Sequence, residues 1–272
     1  MKPRVLIIAP TRDGYKNPSR RLADKHIRLF HGRTLDEWFC IRAWSSECMT
    51  DFCLVTETEE HTERIRPMVE KYAGQLVCRP EVLLHPMEDT GGKPLRWGLH
   101  KIIEKNGPYN LVIQNFVVNP VLPPGLFDRA VKRFLELVPN LEDLKGPANM
   151  VPACYPIESF TEEREDGRLY WSGPRIMNTS KGTTRWKSTM GWTVSTPEFN
   201  DLAWMLSYSG LAMRAADLLD GHLKFEVPVW TDMHIDTEDE WNLAEWYFGK
   251  YIGIGDKAFE AYDAYRRTWC LT

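Results

Sequence analysis

Short apolar runs alternate with helical patterns through the first half of this chain, and that alternation restricts the fold more than any other feature. Val5 to Ala9 is wholly apolar and breaks at Pro10; a helix-like segment opens at Thr34-Leu35-Asp36-Glu37-Trp38, and Phe52 to Thr56 reads as the next strand. Glu59 to Tyr72 places Ile65, Met68, Val69 and Tyr72 at helical spacing, with Pro67 as a kink or restart. Gln75 to Cys78 reads as a strand, Pro94 to Ile103 as a helix and Leu111 to Gln114 as a strand. Pro123-Pro124-Gly125 then introduces a helix whose Leu126, Phe127, Ala130, Val131, Phe134 and Leu135 form a broad apolar stripe. Strand followed by helix, repeated, predicts an α/β fold with a mostly parallel sheet covered on both faces.

The pattern degrades after Asn149 to Cys154. From Pro156 to Met190 the chain is polar, charged and aromatic, with Gly167, Gly173 and Gly182 and no sustained period. This reads as an inserted arm, 156–190, rather than a second core, so residues 1–272 form one domain. The arm's Tyr170, Trp171 and Trp186 need burial, either back on the same subunit or against a partner in a homodimer. Regularity returns with Trp192 to Ser195, a helix candidate around Glu198 to Ser207, the run Phe225 to Trp230, and Thr231 to Thr237 leading into helices rich in Trp, Tyr and Ala.

Composition narrows the class. The 272 residues are 43% hydrophobic and 26% charged, enough for one sizeable core. A net charge of -4 argues against a nucleic-acid binder, so basic residues near the start read as a local site for a small anion. No stretch reaches bilayer-spanning length and no signal-peptide pattern opens the chain, which gives a cytoplasmic, non-membrane expectation. Cys40, Cys48, Cys53, Cys78, Cys154 and Cys270 form no C-x-x-C pair and read as buried free thiols.

Familiar catalytic templates are missing: the chain holds no G-x-x-x-x-G-K-[ST], H-E-x-x-H or G-x-S-x-G. Gly253-Ile254-Gly255-Asp256-Lys257-Ala258 imitates a dinucleotide fingerprint but follows a helical segment near the C-terminus, so it reads as a turn between two terminal helices. The loop after the first strand carries Arg12, Lys16, Arg20, Arg21 and Lys25. Cationic side chains and free backbone N–H groups at the carboxyl edge of a sheet can hold phosphate, and activation of a nucleoside triphosphate needs such charge on the departing pyrophosphate. A solvated surface run is the alternative.

Near the far end, Asp232-Met233-His234-Ile235-Asp236 reads as an extended strand in which Asp232, His234 and Asp236 share one side while Met233 and Ile235 pack inward. That edge offers metal ligands; hard oxygen donors suit Mg²⁺ together with phosphate oxygens. The alternative is a solvated strand end with Asp236 or Thr237 capping the helix that begins near Glu238.

These pieces, in order, resemble the CTP-dependent cytidylyltransferases that activate sialic acid and related nonulosonic acids, and more distantly those that activate 3-deoxy-manno-octulosonate. The family's Ala-Arg-Gly-Gly-Ser-Lys-Arg-Leu-Pro-x-Lys-Asn loop looks like Ile8-Ala9 with Ser19-Arg20-Arg21-Leu22-Ala23-Asp24-Lys25-His26, and its Gly-Lys-Pro-Leu like Gly32-Arg33-Thr34-Leu35. Val55-Thr56-Glu57-Thr58, Arg79-Pro80, Asp89-Thr90, Gln114, Asn119-Pro120, Met190-Gly191-Trp192 and His234-Ile235-Asp236-Thr237-Glu238-Asp239-Glu240 match later motifs. The departures are a longer loop, Asp13-Gly14-Tyr15 for Gly-Gly, Ala23 for Pro, His26 for Asn, Met190 for the acceptor-side Asn and His234 for the first metal Asp.

The resemblance implies a Rossmann-like three-layer α/β/α domain of the nucleotide-diphospho-sugar transferase type, a homodimer, and transfer of CMP from CTP to an acidic sugar with release of pyrophosphate. It assigns Arg12, Arg20, Arg21 and Lys25 to the triphosphate, Arg79 and Gln114 to the nucleotide, and Gln114 and Gly191 to the acceptor. Lys25, Arg21 and Asp236 are the catalytic candidates. Asp236, with Asp232 or His234, would hold Mg²⁺ or Mn²⁺. A phosphonate or other phosphorylated acceptor, and a nucleotide-binding protein that has lost catalysis, are the alternative functions.

Overall fold

A computed structural model describes residues 2–14, 22, 24–80, 92–139, 148–154, 161–163, 169–171, 185–188, 192–199, 223–231 and 233–270. Strands and helices alternate as β1 (Val5–Pro10), α1 (Leu35–Ser45), β2 (Asp51–Thr56), α2 (Glu59–Lys71), β3 (Gln75–Cys78), α3 (Gly92–Asn106), β4 (Leu111–Asn115) and α4 (Leu126–Leu137). Then come β5 (Asn149–Cys154), β6 (Thr161–Glu163), β7 (Leu169–Trp171), β8 (Arg185–Ser188), β9 (Trp192–Ser195), β10 (Leu223–Glu226), a 3₁₀ turn at Val229–Thr231, α5 (Glu238–Tyr251) and α6 (Asp256–Cys270).

The sheet runs β3-β2-β1-β4-β9-β5, with β10 also paired to β5. The β3-β2, β2-β1, β1-β4 and β5-β10 pairs are parallel, and β9 is antiparallel to both neighbours. The expected three-layer α/β/α fold is what the chain adopts. Within the arm, the antiparallel strands β6, β7 and β8 form a ribbon joined to the sheet where β8 meets β5. The segment is therefore not wholly irregular: strands this short leave too few alternations for period 2 to register in sequence.

Burial explains the central strand. Val5 through Ala9 are fully buried, and their side chains divide between the two faces. Val5, Ile7 and Ala9 join a core built with Trp38, Phe39, Phe134, Trp241 and Phe248, while Leu6 and Ile8 meet Leu95, Leu99 and Ile102 of α3. Gly98 permits that second contact: a Cβ there would lie 2.3 Å from Val55 Cγ2 and 3.2 Å from Ile8 Cδ1. The turn into α1 uses positive φ at His31 (48°) and Gly32 (84°), after which Thr34 accepts from the Glu37 N–H as N-cap. α2 runs through Pro67 as one helix from Glu59 to Lys71.

β2 lies on one side of β1 and β4 on the other, so the chain reverses direction across the sheet at the carboxyl ends of β1 and β4. Such a switch point opens a crevice for a ligand.

Two expectations change. Residues 233–236 belong to no strand: Ile235 N–H donates to Val118 O, and there is no ladder. Alternation still holds, with Ile235 fully buried, Met233 packed on the core and His234 exposed. Cys40, Cys48 and Cys53 are buried, Cys78 is half-buried and Cys270 is exposed on the last turn of α6, where one face of a terminal helix meets solvent. Most of the helix candidate 198–207 lies outside the described residues.

Candidate functional site at the carboxyl edge of the sheet

The segment after β4 is built first, because it carries the site. Arg42, buried on α1, donates to Asn115 Oδ1 at 3.2 Å and to Pro120 O at 3.3 Å, fixing the chain as it leaves β4. Burial lowers the Arg42 guanidinium to about 10, which leaves it charged at neutral pH. The fully buried Asn119 turns its amide nitrogen toward Met233 O at 3.1 Å and Thr231 O at 3.2 Å. With the bond from Ile235 N–H to Val118 O, this lashes Thr231, Met233 and Ile235 against the exit of β4.

The next residues start α5. Thr237 is its N-cap in a reciprocal capping box with Glu240, and Glu240 Oε2 also accepts from the Asp236 N–H at 2.8 Å. Thr237, not Asp236, does the capping, so the Asp236 carboxylate is left to face the loop from β1. There Lys25 Nζ donates to Asp236 Oδ1 at 2.7 Å and to Ile235 O at 2.7 Å. Lys25 is 5% exposed, so its ammonium is committed to this pair rather than standing in solvent. The far Asp236 oxygen, Oδ2, lies 3.8 Å from His234 Nε2, and the His234 ring meets Phe116 edge-on with centroids 6.1 Å apart. Residues 210 positions apart thus meet at the switch point.

A buried polar network lies beside them. Asp13 N–H donates to Glu57 Oε2 at 2.9 Å, Arg64 donates to Asp13 Oδ1 at 2.6 Å, and Arg79 donates to Glu57 Oε1. Thr11 Oγ1 donates to Asp36 Oδ1 at 2.7 Å, and burial pushes the Asp36 carboxyl up to about 7. His26 and His61 are buried, each with an Nδ1 that finds no partner among the described residues. Burial brings His26 down to about 3, with Lys25 and Arg12 acting the same way, and His61 to about 4, so both imidazoles are neutral at pH 7. A Cβ at Gly14 would lie 2.9 Å from Ile27 Cγ2 and 3.2 Å from His26 Cβ, so the two ends of the loop pack backbone against side chain.

The candidates from sequence divide accordingly. Lys25, His234 and Asp236 come together. Arg79 is buried in its ion pair with Glu57, and Arg12 is half-buried just past β1 with His26 in its field. Gln114, the last residue but one of β4, lies between Ile8 of β1 and Thr193 of β9. Arg20, Arg21, Gly191 and Asp232 lie outside the described residues. Sequence reasoning did not find Asn119 and Arg42 as the residues that position this edge, nor the pairing of Asp13 with Arg64. A buried polar residue flanked by Pro, as in Asn119-Pro120, was the one available signal.

Among the described residues no group of three or more His, Cys, Asp or Glu could hold a metal ion. The donors that a divalent cation would meet are one carboxylate oxygen of Asp236 and one imidazole nitrogen of His234, so a bound ion would take its other ligands from phosphate and water. These two donors do not form a closed protein cage.

No family model and no curated protein sequence matches the chain. Solved structures do. A CMP:2-keto-3-deoxy-manno-octonic acid synthetase complexed with CTP is 15% identical, with a TM-score of 0.63 over 91% of this chain and 99% of that one. A 4-diphosphocytidyl-2C-methyl-D-erythritol synthase from Anaerococcus prevotii is 13% identical, with a TM-score of 0.58 over 91% of this chain and 96% of that one. A cytidylyltransferase from Leptospira borgpetersenii is 12% identical, with a TM-score of 0.55 over 100% of this chain and 96% of that one. The chain therefore has the fold of these proteins, the one its motif order implied.

Proposed function

We propose that the protein is a CTP-dependent cytidylyltransferase, passing CMP from CTP to an acidic small-molecule acceptor and releasing pyrophosphate. The observation that carries this reading is the meeting of Lys25 and Asp236 at the switch point of the sheet, with His234 beside them. A ligand crevice in such a fold lies at that point, and a triphosphate entering it needs positive charge next to a carboxylate that can share a cation. The acceptor hydroxyl would attack the α-phosphorus in line with departing pyrophosphate, so the protein's work is positioning and charge stabilisation.

Lys25, Arg12, Arg20 and Arg21 would face the triphosphate, Lys25 holding Asp236 in register as it does so. Gln114, near the end of β4, and Gly191 would serve the nucleotide and acceptor, and Arg79 would anchor the base side through Glu57. Asp236, with His234 or Asp232, would hold the divalent cation; when bound, that ion neutralises phosphate charge and polarises the α-phosphoryl group. An acidic sugar such as a nonulosonic or 2-keto-3-deoxy acid is the acceptor class favoured here, on the motif match that spans the chain. The arm 156–190, with its aromatic residues, is proposed to pair two copies of the chain.

Pyrophosphate release from CTP with a panel of sugar acids and phosphorylated or phosphonate acceptors tests the reading. Release with sugar acids supports it, and release confined to phosphonates moves the acceptor class. CTP binding without turnover for any acceptor would replace the enzyme reading with a binding protein.

A further inference from the structure

Seven large apolar side chains stand exposed among the described residues, and five of them crowd one region. Leu243, Trp246 and Tyr251 belong to α5, Ile254 to the turn that follows it, and Val229 to the 3₁₀ turn that precedes it. Apolar residues exposed singly are ordinary, whereas a cluster marks a contact surface. The rings here are also linked. Trp230 stacks on Tyr251 with centroids 4.4 Å apart, Tyr247 on Tyr251 at 6.1 Å, and Trp246 meets Tyr247 at 5.0 Å. Trp and Tyr are the side chains that most often anchor an interface.

Helical spacing gives this face its direction. Trp241, Ala244 and Phe248 are fully buried, so Asp239, Leu243, Trp246 and Lys250 form a stripe on the opposite side of α5. Their steps of four, three and four residues are the seam spacing of helices that pack side by side. The stripe carries an acid at one end, a base at the other and apolar groups between, so turned end for end it complements itself. In an antiparallel pair Asp239 meets the partner's Lys250 at both ends, and Leu243 packs on the partner's Trp246 across the middle. Asp239 and Lys250 are both exposed, and neither forms an ion pair among the described residues. The Lys250 ammonium lies 4.6 Å from the centroid of Trp246 and 4.9 Å from that of Tyr251, which holds it at the end of the seam. A two-fold contact requires such self-complementarity.

We propose that the outer face of α5 binds a second copy of this chain, the two α5 helices running antiparallel about a two-fold axis centred at Ala244 and Glu245. This contact uses α5 rather than the arm 156–190, so it adds one association step to whatever the arm provides.

Sedimentation velocity of the full chain over a concentration series is the test. Trp246→Glu puts a charge in the middle of the seam and should remove one association step. Asp239→Lys and Lys250→Asp each set like charges opposite one another, and each should weaken self-association by about tenfold or more. Mixed in equal amounts, those two variants regain opposite charges at both ends, and association should return to wild-type strength. Unchanged far-UV circular dichroism separates lost association from lost fold. Wild-type mass distributions in all three variants overturn the proposal. A loss in Trp246→Glu with no effect of either charge reversal also overturns it, as does a mixture that fails to regain association.

Discussion

Replacing Lys25 with Met probes the structural side of the site most sharply, because it keeps the buried stem and deletes only the ammonium. The wild-type group makes two charge-assisted hydrogen bonds, each 2.7 Å long, to Asp236 Oδ1 and Ile235 O. Bonds to charged groups contribute about 1.5–3 kcal/mol each. Relief of the desolvation that Lys25 bears at 5% exposure offsets part of that loss. Asp236, one quarter exposed, can also recover hydration, so the stranded charge costs less than the roughly 3–5 kcal/mol of a fully buried broken pair. The net expectation is a loss of about 2–3 kcal/mol, which for a chain of this length lowers Tm by about 4–12 °C. Urea titrations of the wild type, Lys25→Met, Asp236→Asn and the double variant would measure it, with a coupling energy of about 1–2 kcal/mol between the two positions. A single-variant loss below about 0.5 kcal/mol, the range of ordinary surface substitutions, would refute the reasoning.

Further outcomes follow from the same geometry. His26 and His61 take up protons near pH 6.5 when unfolded but only near 3 and 4 when folded, so their contribution to stability is lost as pH falls from about 6.5; His26→Gln should flatten that acid limb in urea titrations from pH 7 to 4. Asp36 behaves oppositely: folded, it keeps its proton to about 7, so stability declines as pH rises from about 4 through 7, and Asp36→Asn should remove that slope. Gly98→Ala should destabilise by about 1–2 kcal/mol in chemical denaturation, because the clash with Val55 exceeds the helix-propensity gain. Thr237→Ala should cost about 1 kcal/mol through lost capping, whereas Glu240→Ala should also weaken CTP binding in calorimetry, since Glu240 holds the Asp236 backbone.

Much of the fold could be read from the chain. β1, β2, β3 and β4 and the helices after them carry their signal locally: the fully buried strand reads as Val5-Leu6-Ile7-Ile8-Ala9, and the stripe of α4 repeats at helical spacing. Residues 233–236 deceived because buried and exposed side chains can alternate without a neighbouring strand when bonds from distant residues hold the segment. The site was legible as a list and not as an arrangement. Lys25 and Asp236 could be picked out by residue type and motif order, but their direct pairing depends on Asn119, Arg42 and Val118, which fix the intervening segment through long-range bonds with no periodicity. The Asp13-Arg64 and Glu57-Arg79 pairs were hidden for the same reason: each joins residues on different elements whose proximity follows only from the strand order β3-β2-β1.

Isothermal titration of the protein with CTP, UTP, ATP and GTP, each with and without a divalent cation, bears most directly on the proposed nucleotide site. The account predicts saturable binding of CTP in preference to the other three, strengthened by the cation and weakened by Lys25→Met and Asp236→Asn. Equal heats for all four nucleotides, or none for any, would contradict it.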